Sequence, residues 1–234
     1  MQPFLVAHRG ASADRPEHTL AAYELAVEQG ADGVECDVRL TRDGHLVCVH
    51  DRTVSRTSDG RGSVGDLTLA ELAEFDYGSW HSRPAPLLTL RALLELVADT
   101  GVRLFAETKH PARHGSRVEA RLLAELAEFG LADGKATVLS FSGTALRRIA
   151  AQSAHVPTVL LTDQVTARRP LPRTATIAGP SISTLRADPD YVRRAGREIY
   201  AWTVDEPADI ALCARLGVRY LATNVPGKAR AALG

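Results

Sequence analysis

Two acidic residues stand two positions apart in GVECDVRL, Glu35 and Asp37, and a third, Glu107, stands two positions before Lys109 in LFAETK. Side chains alternate faces along a β-strand. Glu35 and Asp37 therefore share one face while Val34 and Cys36 share the other, and Glu107 shares its face with Lys109 and, lower down, Phe105. Unit charges ~4 Å apart repel by about 4 kcal/mol at an effective dielectric near 20. Three gathered carboxylates thus need protonation or a cation to coexist. An all-oxygen set selects a hard divalent ion, Mg2+ or Ca2+, over zinc. The simpler alternative is structural ion pairing with Lys109 and Arg9.

Two histidines add proton-transfer capacity. His8 closes the run PFLVAH and His50 follows LVCV, with Arg9 and Asp51 as their immediate neighbours. Beside an acidic metal cluster, such a pair fits phosphodiester cleavage, which needs a proton acceptor and a proton donor near neutral pH. Arg9 offers a planar fork of donors for two phosphate oxygens, and Lys109 a point charge. Trp202, in YAWTVD, is either core packing or an apolar wall for the alcohol part of a substrate. His45 reads as a turn residue, and His18, His81, His110, His114 and His155 mostly as surface or loop.

These residues need elements that bring them together. Eight short β-rich runs recur along the chain: PFLVAHR, GVECDVRL, VRLFAETK, ATVLSF, TVLLTD, ATIAGPSI, EIYAWTV and YLATNV. Helical stretches lie between them, including a weak one at VTARRP, and several end at Gly as helix C-termini do. The alternation signals parallel βα units, and eight is the number that closes a (β/α)8 barrel. The rival, an open doubly wound sheet, would carry a Gly-rich loop after the first strand, whereas HRGAS has one glycine. In a barrel no strand face meets solvent, so Val34 and Cys36 suit the helix side and the carboxylates point inward, near the C-terminal mouth. Asp43-Gly44 predicts a hairpin with a short extra strand just before His50. Residues 51–86 are too long for an ordinary barrel loop and are expected to form a lid or specificity element on a single domain spanning 1–234.

Composition excludes several function classes. The chain has 234 residues, 45% hydrophobic and 24% charged, with 28 Lys+Arg balancing 28 Asp+Glu. Zero net charge gives no field that would favour nucleic acid. The start lacks a basic n-region, and no apolar stretch approaches ~20 residues, so a cytoplasmic protein without stable membrane association is expected. Cys36, Cys48 and Cys213 lack metal or redox spacing and are expected to be buried thiols.

In order and spacing, HRG, RPEHTLAAYELAVEQGADGVECDVRLTRDGHLVCVHD, DLTLAELAEFDYGSW, AETK and AWTVD resemble the glycerophosphodiester phosphodiesterases. The resemblance covers nearly the whole chain. It implies a barrel that hydrolyses glycerophosphodiesters to glycerol 3-phosphate and an alcohol, usually with one divalent cation. Carried over residue by residue, it makes Glu35, Asp37 and Glu107 metal ligands and His8 and His50 the acid/base pair. Arg9 and Lys109 become phosphate contacts and Trp202 the substrate-facing aromatic. Glu17 falls where it would orient Arg9 or a metal-bound water, and His18 replaces the family's usual Asn. Leu88 and Arg91 depart from the family's Pro and Glu, outside the chemical cluster. Two rival activities share the scaffold: a lysophospholipase D-like enzyme, marked by an apolar rim, and a non-catalytic barrel that only binds a phosphorylated ligand, marked by a missing site residue.

Overall fold

The computed structural model describes residues 2–168 and 170–234. Short aliphatic and β-branched runs form the strands β1 (Phe4–His8), β2 (Gly33–Leu40), β4 (Arg103–Thr108), β5 (Ala136–Ser140), β6 (Thr158–Thr162), β7 (Ile177–Pro180), β8 (Tyr200–Ala201) and β9 (Tyr220–Thr223), with a short β3 (Leu46–Cys48) beside them. All but β3 pair in parallel in the order β7-β6-β5-β4-β2-β1-β9-β8. Parallel bridges Ala178–Ile199 and Ser181–Trp202 join β7 to β8 and close the ring. Helices α1 (Leu20–Glu28), α3 (Leu90–Thr100), α4 (Arg117–Glu128), α5 (Gly143–Gln152), α8 (Pro207–Leu216) and α9 (Pro226–Leu233) return the chain between strands or close it, and a short α7 (Tyr191–Ala195) precedes β8. This is the expected (β/α)8 barrel.

The sixth and seventh units are irregular. At VTARRP the chain makes a single 3-10 turn over Thr166–Arg168, and Arg169 of that segment lies outside the described residues. The run ATIAGPSI stops being a strand at Pro180, because the Ser181 hydroxyl accepts from the Thr184 amide and caps a short helix, α6 (Ile182–Ala187). The turn propensity of Pro-Ser overrides the apolar pattern there.

Alternation divides each strand as expected. Val6, Phe105, Leu139, Val159, Ile177, Tyr200 and Tyr220 fill the barrel interior. Ala7, Val34, Cys36, Leu104 and Ala106 pack outward under the helices. The Phe105 ring lies 5.3 Å from Tyr220 and 5.5 Å from Tyr200, centroid to centroid. This aromatic plug is the dry floor on which the carboxylates of β2 and β4 stand. Truncating fully buried Phe105 to Ala would cost about 3–5 kcal/mol.

The extra hairpin is present: β3 pairs antiparallel with β2, with Val38 opposite Cys48 and Leu40 opposite Leu46. Thr41 and Asp43 close the turn through a 2.6 Å side-chain bond, and Gly44 takes the positive φ. The segment 51–86 builds its own apolar cluster, Val54, Val64, Leu72 and Tyr77, against Val47 and Val49. Its helix α2 (Leu69–Ala73) starts at a capping box made by Thr68 and Glu71. All three cysteines are buried and free. Among the described residues, no helix is long and apolar enough to cross a membrane.

Candidate active site at the barrel mouth

Strand register assembles the site. Pairing of β1 with β2 sets His8 beside Glu35, and pairing of β2 with β4 sets Asp37 beside Glu107. Glu35, Asp37 and Glu107 are all buried, and one oxygen of each lies within 4.8 Å of the others. Lys109 Nζ sits 2.8 Å from Asp37 and 2.7 Å from Glu107. Arg9 approaches from the β1 turn, its Nε 3.0 Å from Asp37. The HRG turn that aims it holds Arg9 at φ 61° and Gly10 at φ 82°. A Cβ on Gly10 would lie 2.6 Å from the carbonyl carbon of Ala22, so that position takes no side chain.

The charges within this cluster are not balanced by the protein alone. Burial opposes the Asp37 charge, but Lys109, the His18 hydrogen bond and Arg9 outweigh it and hold the carboxyl well below its ordinary range. Glu35 goes the other way: burial first, then the Asp37 charge, push it well up. Glu107 is raised for the same two reasons, against the pull of Lys109. Two of the three carboxyls thus resist ionisation unless more positive charge arrives. An inward-facing, all-oxygen set with that deficit fits a hard divalent cation.

Each histidine is oriented by an acceptor on its inner nitrogen. His8 Nδ1 lies 2.8 Å from Oδ1 of Asn224. Asn224 is itself fixed, because its Nδ2 and its backbone N–H both donate to Asp205, at 2.7 Å each. Nδ1 of His8 must therefore donate, leaving the lone pair on Nε2, 3.9 Å from Glu35. Burial, aided by Arg9, lowers the His8 pKa to about 4, so the ring is neutral near pH 7. His50 Nδ1 sits 2.7 Å from the Asp51 carboxylate, and Arg56 holds the other Asp51 oxygen at 2.6 Å. Burial lowers the His50 pKa too, with Asp37 opposing.

Of the residues singled out in the sequence, His8, Arg9, Glu35, His50, Glu107, Lys109 and Trp202 line one cavity of about 100 Å3. Asp37 lies beneath it, bonded to Lys109 and Arg9. Trp202 forms its wall rather than core, with its indole N–H donating to Gly179 at 2.8 Å and Phe141 edge-on at 5.3 Å. Glu17 stands outside the cavity and braces Arg9 at 3.2 Å, while Arg56 grips it from the insertion. His18 lies in a loop, one of the two places expected for it, but there it is buried and bonded to Asp37 at 2.9 Å. Its neighbourhood in RPEHT is polar and gives no sign of burial. Asn224, Asp205, Tyr23 and Phe141 were also missed. Asn224, Asp205 and Phe141 had a local signal, since each closely follows a strand.

The chain resembles known proteins in both sequence and fold. Residues 8–228 match the model of the Glycerophosphoryl diester phosphodiesterase family. The "Probable glycerophosphodiester phosphodiesterase 1" of Mycobacterium tuberculosis is 51% identical over 98% of this chain and 92% of its own. The glycerophosphodiester phosphodiesterase of Caldanaerobacter subterraneus is 32% identical over 97% of this chain and 96% of its own. Among solved structures, a phosphodiesterase of Oleispira antarctica in complex with the product sn-glycerol-3-phosphate superposes with a TM-score of 0.87, at 27% identity, covering 99% of this chain and 97% of that one.

Proposed function

The chain belongs to the glycerophosphoryl diester phosphodiesterase family, and from that premise we propose that it hydrolyses glycerophosphodiesters to glycerol 3-phosphate and an alcohol with the help of one divalent cation. The observation that carries this reading is the single small cavity in which two histidines, two cations and two carboxylates converge. The product bound by the Oleispira enzyme supports glycerol 3-phosphate as the retained half.

Glu35, Asp37 and Glu107 would hold the cation, Mg2+ or Ca2+, which when bound supplies Lewis-acid polarisation and neutralises charge developing on the phosphoryl oxygens. Arg9 presents its fork to the non-bridging oxygens, held in place by Glu17, and Lys109 adds its charge as the pentacoordinate phosphorus forms. His8, neutral and with its Nε2 lone pair free, takes the proton of the attacking hydroxyl, either the glycerol 2-hydroxyl or a water. As the new P–O bond forms and the P–O bond to the alcohol breaks, His50 delivers a proton to the departing oxygen. Where the 2-hydroxyl attacks, the product is the cyclic phosphate, which a water opens to glycerol 3-phosphate in a second step with the two histidines exchanging roles. Asp51 holds the His50 Nδ1–H and favours the protonated ring that this step requires. Trp202 and Phe141 wall the cavity and exclude water. Residues 51–86 act as the specificity element of this single domain, supplying Asp51 and Arg56 to the network.

Coupling glycerol 3-phosphate release to a dehydrogenase, with several glycerophosphodiesters as substrates, tests the reading. Stoichiometric glycerol 3-phosphate and free alcohol are expected. Release of the phosphorylated alcohol with free glycerol would overturn it.

A further inference from the structure

A second cavity, about 310 Å3, opens beside the first and shares His50, Glu107, Lys109 and Phe141 with it. Those shared residues mark where the scissile phosphate lies if the phosphodiesterase reading, on which this inference rests, is right. The first cavity keeps His8, Arg9 and Glu35 for itself and is the place of the glycerol half. The second lies on the His50 side, where the departing alcohol receives its proton, so its own walls meet the leaving group.

Among the described residues, those walls carry positive charge that no carboxylate bonds directly. The Asp51 carboxylate is taken by His50 and Arg56, Glu107 by Lys109, and His110 by Glu119 at 2.8 Å. Arg39 and Arg52 also line this cavity. Arg39 spends Nε and one Nη2 hydrogen on the carbonyl of His50, at 3.0 and 2.7 Å, which leaves three of its five donors. Among the described residues neither arginine makes an ion pair with a carboxylate. Had the two guanidinium groups served only to neutralise the acidic cluster, direct pairing of the kind made by Arg9 and Lys109 would be expected. Arg39 lies within the field of Asp37, Asp51 and Glu107 but bonds none of them, and both arginines line the exit side of the reacting centre, in a cavity wide enough for a second polar group.

We propose that this second cavity receives a leaving alcohol that itself carries an anionic group, a phosphate or a carboxylate, held by Arg39 and Arg52. A forked guanidinium matches either anion, and the same field disfavours a quaternary ammonium such as choline. The preferred substrates would then be glycerophosphodiesters of acidic alcohols.

Initial rates with four diesters sharing the glycerol 3-phosphate half test this. Their leaving alcohols are choline, glycerol, glycerol phosphate and glycerate, so the last two arms separate phosphate from carboxylate. kcat/KM is expected to be about tenfold higher for at least one acidic alcohol than for glycerol, and lowest for choline. Arg52→Gln should shrink the acidic-to-neutral ratio about tenfold, and Arg52→Glu should invert it. Arg52 is exposed on the insertion, and thermal melting checks that both variants fold; Arg39→Gln gives an independent second variant. Equal kcat/KM for neutral and acidic alcohols, or a ratio unmoved by all three variants, would overturn the inference while leaving the phosphodiesterase reading intact. Cleavage of none of the four would overturn that reading and this inference with it.

Discussion

His18 Nε2 lies 2.9 Å from Oδ2 of Asp37, and the other ring nitrogen lies 2.8 Å from the hydroxyl of Tyr23. A histidine thus stands where the family resemblance implies an Asn, at a backbone φ of 59°. Asn tolerates that left-handed conformation well and its amide can also donate to a carboxylate. Both residues meet the same need, a donor that fixes the orientation of Asp37.

From this pairing, His18→Ala should weaken divalent-cation binding and lower kcat/KM by about 10- to 100-fold, the usual cost of losing a partner behind a metal ligand. His18→Asn should recover most of both. Calorimetric cation titration alongside steady-state kinetics reads the two effects together. Wild-type affinity in the Ala variant would show that Asp37 does not depend on His18.

The two histidines should separate by leaving group. His50→Ala is expected to lose about 10²–10⁴-fold with a choline or glycerol leaving group, and far less with p-nitrophenol, which departs without a proton. His8→Ala should lose similarly with all of them, since the attacking hydroxyl is unchanged. Equal losses for His50→Ala across the series would remove it from the acid role.

Acid stability should report on Glu17. Burial raises the cost of its charge, yet Arg56 and Arg9 more than compensate and bring its pKa down from 4.5 to about 2. A depressed carboxylate pKa stabilises the folded state above the unfolded value, and that contribution fades as pH falls through the folded one. It is on the order of 3 kcal/mol. Chemical denaturation should therefore show wild type losing more stability than Glu17→Gln between about pH 5 and pH 2. Parallel losses in the two proteins would contradict this.

The barrel was legible because eight largely apolar runs alternate with helical stretches, and the site because Glu35, Asp37 and Glu107 interrupt two of those runs on one face. An interruption by charge in a strand with no solvent face has little meaning other than a site, so alternation alone was enough to orient the carboxylates. His18, Asn224 and Asp205 were hidden for the opposite reason. They sit in polar loops, where burial depends on contacts across 19 residues for His18 with Asp37 and across 216 residues for Asn224 with His8. The stop of β7 at Pro180 was missed because a serine cap competed with an apolar run. Arg39 was passed over because its charge looks ordinary until the fold places it on the cavity beside His50, bonded to a carbonyl and to no carboxylate among the described residues.

Three buried carboxylates, Glu35, Asp37 and Glu107, are proposed to hold the cation on which diester cleavage depends. The most direct test is glycerol 3-phosphate release by protein stripped with chelator, verified metal-free by elemental analysis, before and after Mg2+ or Ca2+ is restored. Stripping is expected to abolish turnover, one of the two ions to restore it in wild type, and Glu35→Gln to be restored poorly at the same concentration. Undiminished turnover by verified metal-free protein would contradict that dependence.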